Sequence, residues 1–351
     1  MDNNRTIPNM PPPAERPPAP GSGQPRGQRP PSQQKPMRPK KRKFRLQIGH
    51  IIILLFLGMI VAIILLSSAL KKTKAQLKED EEYISARNSR VFHYYDKRDY
   101  VYMKDSNLGE TWIQAIPTVP RLELDFENLQ DNEKGQRSYT EGGTVTSHFG
   151  IDVSYFNGYV DWENAKNDGV EFAMVRLGYR GYETGNLGLD KRYIQNMDGA
   201  KAAGVDVGVY FYSQATTVAE AKEEAEYVLE NIKDYDIVYP VVFDWEITGY
   251  DTARTNEMSV RDLNDCAATF CNTIAEGGYI PMVYFNRKTG LMKFDLNVLS
   301  GFDLWLAEYK DEPVFPYRFA LWQYSDEGHI DGIEGDVDLD ICFEDYPNIR
   351  R

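Results

Sequence analysis

At 351 residues and a formal charge of −13, the chain is long enough for two domains and too acidic to favour binding nucleic acid through its phosphates. Three cysteines without CxxC spacing and four scattered histidines write neither a disulfide framework nor a zinc site. The charge is uneven: residues 1–50 hold 11 Lys+Arg against 2 Asp+Glu, so the rest of the chain carries −22.

Twelve of the 19 prolines fall between Pro8 and Pro39, among Gly, Ser, Gln and Arg. Such a stretch buries too little apolar surface to offset its ordering entropy, so residues 1–45 are predicted to be a disordered tail. Its proline content suits a cytoplasmic partner that reads polyproline II segments. The tail ends in Lys40-Lys41-Arg42-Lys43 and Arg45, and Ile51–Leu66 then contains no charged residue. Extended over 46–70, the apolar run has the length that a ~30 Å hydrocarbon core requires. No small-residue cleavage site follows, so the segment is expected to be a signal-anchor helix seated in the lipid bilayer. The heavier basic flank precedes it, which places the N-terminus in the cytoplasm and the later residues outside the cell membrane in a single pass. Residues 71–147 are expected to be a stalk. It carries strand-like pieces (Val91-Phe-His-Tyr-Tyr, Tyr100-Val-Tyr-Met, Thr111-Trp-Ile) without a recognisable chemistry.

From residue 148 to 351 the pattern turns regular. Apolar strands are predicted at Phe149–Ser154, Phe172–Leu177, Val205–Tyr212, Ile237–Phe243, Ile280–Phe285, Leu304–Ala307 and Ala320–Tyr324. Helical periodicity occupies Asp190–Ala203, Val218–Ile232 and Ser259–Glu276 between them. Alternation of this kind predicts an α/β fold, an irregular (β/α) barrel with its site at the C-terminal strand ends. Cys266 and Cys271 fall on divergent faces of the third helix and read as small buried apolar residues, as does Cys342.

The strongest chemical signal is Tyr239-Pro-Val-Val-Phe-Asp-Trp-Glu-Ile, a buried strand ending in two acids one residue apart. Side chains alternate along a strand, so Asp244 and Glu246 share a face, with Cα atoms ~6.6 Å apart. Paired acids at the end of a core strand suit acid/base work on a glycosidic bond; the plainer alternative is an Asp that caps the next helix and a Glu in solvent. Asp152, in Gly150-Ile-Asp-Val-Ser, and Asp338, in the Asp-rich closing segment Gly332–Asp340, are weaker candidates, since such a turn is more often a solvated loop. Tyr210, Tyr212, Tyr284, Trp305 and Trp322 are candidate sugar platforms, although each singly is better explained as core. No metal and no cofactor is implied.

The chain resembles glycoside hydrolase family 25, the lysozymes or N,O-diacetylmuramidases. Five ordered motifs across 148–343 carry the resemblance: Gly150-Ile-Asp-Val-Ser with Val160-Asp-Trp, Tyr239-Pro-Val-Val-Phe-Asp-Trp-Glu, Leu304-Trp-Leu-Ala-Glu-Tyr, Leu321-Trp-Gln-Tyr-Ser and Gly332-Ile-Glu-Gly-Asp-Val-Asp-Leu-Asp. The resemblance implies a muramidase that hydrolyses β-1,4 bonds between N-acetylmuramic acid and N-acetylglucosamine in peptidoglycan glycan strands, and the expected signal anchor makes it a membrane-anchored one. It assigns Glu246 as proton donor, Asp244 as the group that positions the substrate's acetamido arm, and Asp152 and Asp338 as further acids of the groove. Negative charge on Asp244 and Asp152 is expected to raise the pKa of Glu246. Where the family often shows Tyr-His-Phe, this chain has Tyr210-Phe211-Tyr212. Two other functions fit the same fold: a catalytically weak peptidoglycan-binding or scaffold protein, and a glycosidase for another acetamido-sugar polymer.

Overall fold

The structure, a computed structural model, describes residues 55–74, 78, 100–105 and 109–350. The proline-rich tail, the basic cluster and the first part of the expected membrane span lie outside the described residues. The chain divides into two compact units, Met1–Tyr83 and Ile84–Arg351. In the first, helix α1 (Leu55–Lys74) has a mean hydropathy of 2.0. Its 20 residues are long and apolar enough to cross a membrane, by length and composition.

The second unit begins with the hairpin β1 (Tyr100–Asp105) and β2 (Gly109–Gln114), then the small sheet β3 (Leu129–Asp131), β4 (Arg137–Glu141) and β5 (Thr144–Val145). There follow β6 (His148–Val153), α2 (Trp162–Asn167), β7 (Phe172–Arg180), β8 (Leu187–Leu189), α3 (Tyr193–Ala203), β9 (Asp206–Tyr212), α4 (Val218–Ile232) and β10 (Val241–Asp244). The chain continues through α5 (Val260–Glu276), β11 (Pro281–Asn286), α6 (Arg287–Met292), β12 (Asp303–Ala307), β13 (Leu321–Gly328) and β14 (Val337–Cys342). Strands pair in the order β6-β7-β9-β10-β11-β12-β13-β14, and β14 returns to β6, closing the barrel. Every pairing within this ring is parallel except those of β14, which runs antiparallel to β13 and β6, while β8 adds an antiparallel edge to β7 outside it. The barrel expected from the sequence is therefore present, with one departure. The closing segment Gly332–Asp340, read as an Asp-rich turn, keeps a turn only as far as Asp336 and runs from Val337 as a strand.

Period-two alternation sorts the side chains. Ala173, Val175, Val209, Phe211, Val241, Phe243, Leu304, Leu306 and Leu339 join the shell under the helices. Phe172, Met174, Val242, Met282, Trp305 and Leu321 fill the barrel interior. That interior is tight: a Cβ on Gly150 would meet the Phe172 ring at 2.4 Å, and one on Gly208 would meet Met174 at 2.7 Å. Phe172 stacks on Tyr239 at 4.2 Å and closes the lower end, leaving room only where the parallel strands finish. The helices start where their sequences say they should. Thr217 and Ser259 cap α4 and α5 by accepting the Glu220 and Asp262 amides. Cys266, Cys271 and Cys342 are buried free thiols.

The segment expected as a stalk is partly built into this unit. Tyr139 of β4 meets Phe343 edge-on at 5.7 Å, and the Arg137 guanidinium lies 4.8 Å from the Trp322 ring and 4.6 Å from Tyr324. Backbone bonds from Leu122 to Pro316 and from Arg318 to Pro120 continue the seam. The reason is physical: β13 turns Trp322 and Tyr324 outward, and that aromatic face needs cover.

Candidate active site

A pocket of about 340 Å³ opens at the C-terminal ends of the parallel strands, and Asp152, Asp244, Glu246 and Asp338 all line it. Each arrives by strand geometry. Asp152 is the penultimate residue of β6, and Asp244 ends β10. Glu246 lies just beyond β10, while Trp245 turns the other way to pack edge-on against Phe294 at 6.2 Å. Because β14 runs backwards, Asp338 near its start pairs with Asp152 near the end of β6.

Burial dominates the electrostatics. Asp244 is held well above the usual carboxylate range, first by desolvation and then by the charge of Glu246. Glu246 is also raised, by burial, while its hydrogen bond with Asp244 pulls in the opposite direction. The expectation that neighbouring charge raises Glu246 is corrected: desolvation is the cause, and a carboxyl–carboxyl contact of this kind requires a proton on one of the two acids. Asp244 Oδ1 is buried and has no hydrogen-bond partner among the described residues. A buried acceptor left open at a pocket wall is costly unless a ligand donor fills it.

Asp152 is fixed from below. Gln323 Nε2 donates to Asp152 Oδ2 at 2.6 Å, and the Tyr284 and Tyr309 hydroxyls each lie 3.0 Å from Gln323 Oε1. Two hydroxyls able to donate to one oxygen set the amide orientation, so the NH₂ must face the acid. Asp340, fully buried on β14, accepts the Trp305 indole N–H at 2.8 Å and lies within hydrogen-bonding reach of Asp152. Two carboxyls in contact hold together only if one is protonated. Accordingly, Asp152 and Asp340 are both raised well above their usual range, by burial first. Asp338 is pushed up to about 6, by burial and then by the charges of Asp326 and Glu246.

Of the aromatic candidates, Tyr210, Tyr212, Tyr284 and Trp305 line the pocket, Trp305 as its buried floor. Trp322 does not. It is fully buried on the outer face of β13, with its indole N–H on the Glu308 carbonyl at 2.9 Å, because Leu321 and Gln323 hold the inward parity. The sequence reading passed over Ser154, Phe156, Asn157, Arg176, Tyr309 and Gln323, which complete the lining. Gln323 stood inside the quoted Leu321-Trp-Gln-Tyr-Ser motif, so its parity could have singled it out. Arg176 draws Asp244 down and is itself anchored on Asp190 at 2.6 Å. Phe211, where the family often has histidine, points into the outer shell and meets Tyr227 edge-on at 6.2 Å. The substitution leaves the pocket itself untouched.

A closed β/α barrel with carboxylic acids gathered at its mouth defines a class, the carboxylate-dependent barrel hydrolases. Residues 151–333 match the model of glycosyl hydrolases family 25, and the chain belongs to that family. It is 29% identical over 193 residues to the autolytic lysozyme of Clostridium acetobutylicum, covering 54% of each chain. It is 25% identical over 205 residues to lysozyme M1 of Streptomyces globisporus, covering 54% of this chain and 65% of that one. The chain thus spans about half the length of the first of these relatives and somewhat under two thirds of the second. Among solved structures, the modular autolysin LytC of Streptococcus pneumoniae, in complex with a synthetic peptidoglycan ligand, has a TM-score of 0.50 at 23% identity. The likeness covers 69% of this chain and 56% of that one, and it shows the fold alone.

Proposed function

We infer that the chain is a muramidase, cleaving the β-1,4 bond between N-acetylmuramic acid and N-acetylglucosamine by acetamido-assisted, retaining chemistry. The observation that carries this reading is the unpartnered Asp244 Oδ1 beside Glu246 in the barrel mouth. A 2-acetamido N–H donating to Asp244 fills the open acceptor and favours the carboxylate there. The proton on the acid pair then lies on Glu246, the more exposed of the two, which delivers it to the glycosidic oxygen. The acetamido carbonyl oxygen attacks C1 as that bond breaks, forming a cyclic oxazolinium ion. Water then opens the ring, giving its proton to Glu246 and restoring the starting state. Two acids on one side of the sugar cannot flank the bond from opposite faces, and an internal nucleophile removes that need. The Gln323 N–H donated to Asp152 favours the carboxylate there, and a single proton on the Asp152–Asp340 pair leaves it one negative charge. With Asp338, that charge contributes negative potential that favours the positive charge developing at C1.

The autolytic lysozyme and lysozyme M1 among the relatives support peptidoglycan as the substrate. The apolar α1 and the basic run before it support a signal anchor with a cytoplasmic tail and an extracellular barrel, in reach of the wall. The tail's proline content fits a cytoplasmic polyproline II-binding partner. The deciding experiment digests purified peptidoglycan with the full-length protein in detergent and identifies the new reducing ends. N-acetylmuramic acid at those ends is expected; N-acetylglucosamine ends, or none, would overturn the reading.

A further inference from the structure

The hairpin β1–β2 lies outside the stretch that matches the family and has no part in the chemistry above. Its two strands pair in register, with Tyr102 opposite Trp112 and Lys104 opposite Glu110. Val101 and Met103 are buried, while Tyr102 stays exposed with its ring 5.1 Å from that of Trp112. The aromatic face of β1 is therefore presented while its apolar face is covered. Arg287, which opens α6, donates to the Tyr102 carbonyl at 2.6 Å and ties the hairpin to the barrel unit.

Between hairpin and barrel lies a cleft of about 580 Å³, larger than the catalytic pocket, lined by Tyr100, Tyr102, Lys104, Trp112, Arg287 and Lys310 among others. Three aromatic rings and three cations converge there on a chain whose net charge is −13; the single buried Glu308 carboxylate, 3.6 Å from Arg287 and 3.2 Å from Lys310, offsets only one of the three charges. The cleft is the neighbour of the catalytic groove. Tyr309 lines the groove and Lys310 lines the cleft, so consecutive residues, Cα atoms ~3.8 Å apart, form the wall between them. The wall is firmly held. The buried Glu308 carboxylate accepts the Val314 and Phe315 amides at 3.0 and 3.1 Å and pairs with Lys310 at 3.2 Å. Arg137 adds a bond to the Lys310 carbonyl at 3.2 Å.

We propose that this cleft is a second binding site, which takes the carboxylate-bearing stem peptides and adjoining sugar of a peptidoglycan strand leaving the catalytic groove over Tyr309. Aromatic rings accept the apolar faces of sugars, and the guanidinium and ammonium groups accept carboxylates. No other polyanion suits the position as well, because the ligand must already lie in the groove next door. The proposal rests on the muramidase reading for its substrate, and its test separates the two.

Binding is measured by co-sedimentation of the full-length protein with purified insoluble sacculi, in a Glu246→Gln background that prevents digestion. Two variants are compared with that parent: Tyr102→Ala/Trp112→Ala and Lys104→Glu. Each is expected to weaken sacculus binding about fivefold or more, the charge variant also flattening the salt dependence. With Glu246 intact, both should cleave a short soluble glycan lacking stem peptides at the parental rate. Sacculi stripped of stem peptides should bind the parent as weakly as intact sacculi bind the charge variant. Unchanged sacculus affinity in variants that retain the parental thermal unfolding midpoint would overturn the proposal. So would equal affinity of the parent for stripped and intact sacculi. Absence of any reducing ends from the unsubstituted protein would instead overturn the muramidase reading, leaving the binding comparison to stand by itself.

Discussion

Asp338 stands directly across the β14–β6 ladder from Asp152, so acids from the two ends of the barrel sequence share one rung at the pocket mouth. Like charges placed opposite each other on a sheet destabilise it, and burial here sharpens the effect. Only the antiparallel course of β14 creates this pairing.

A pH dependence follows. Asp338 titrates at about 6 in the folded protein, above the ~3.9 of an unfolded aspartate. Between those values the folded state binds more protons than the unfolded chain, so stability falls as pH rises through the window. Asp338→Asn cannot ionise, and it is expected to raise the melting temperature by a few degrees at about pH 7.5 with little change at about pH 4. Thermal unfolding at both pH values tests this; an equal shift at both would contradict it.

Glu246→Gln is expected to stay folded while turnover on peptidoglycan falls about 10²-fold or more, as for loss of a general acid. Reducing-end release provides the assay. Near-parental hydrolysis by a folded variant would remove Glu246 from the role.

Gln323 is expected to act through Asp152. Its donated N–H holds the Asp152 pKa down against burial. Gln323→Leu removes that donor and the acceptor for Tyr284 and Tyr309, so kcat should drop about 10-fold or more. The acidic limb of kcat/KM should also move to higher pH, since Asp152 then ionises later. A loss of rate with the acidic limb unmoved would mean only that packing was disturbed.

Much of this was legible in the sequence for identifiable reasons. The Tyr239–Ile247 run announced both its burial and its paired acids, and the seven predicted strands all lie in the barrel. β14 was missed because its inward residues are Asp338 and Asp340, so the alternation looked like an acidic loop. Trp322 stands in a strand equivalent to those of Tyr284 and Trp305, which made it a candidate platform, but strand parity gives the pocket to Gln323 and leaves Trp322 the core role expected of any single aromatic. Tyr100-Val-Tyr-Met was recognised as strand-like, but only the tertiary pairing of Tyr102 with Trp112 shows what its exposed face adjoins. The cause of the Glu246 shift needed the structure, because desolvation depends on what surrounds a residue and not on its neighbours in sequence.

The proposed topology predicts that protease added to intact cells cleaves the chain beyond about residue 71 and spares the proline-rich tail. Mass spectrometry of the released fragments reads the result. Loss of the tail with the acidic unit protected would reverse the orientation.

The central claim is that Asp244 orients the substrate's own acetamido group while Glu246 moves the proton, and anomeric configuration tests it most directly. Proton NMR of the first reducing sugars released by the full-length protein should show the β configuration retained, with no glycosyl-enzyme detectable by mass spectrometry. Inverted product, or a covalent adduct on Asp244 or Asp152, would contradict the account.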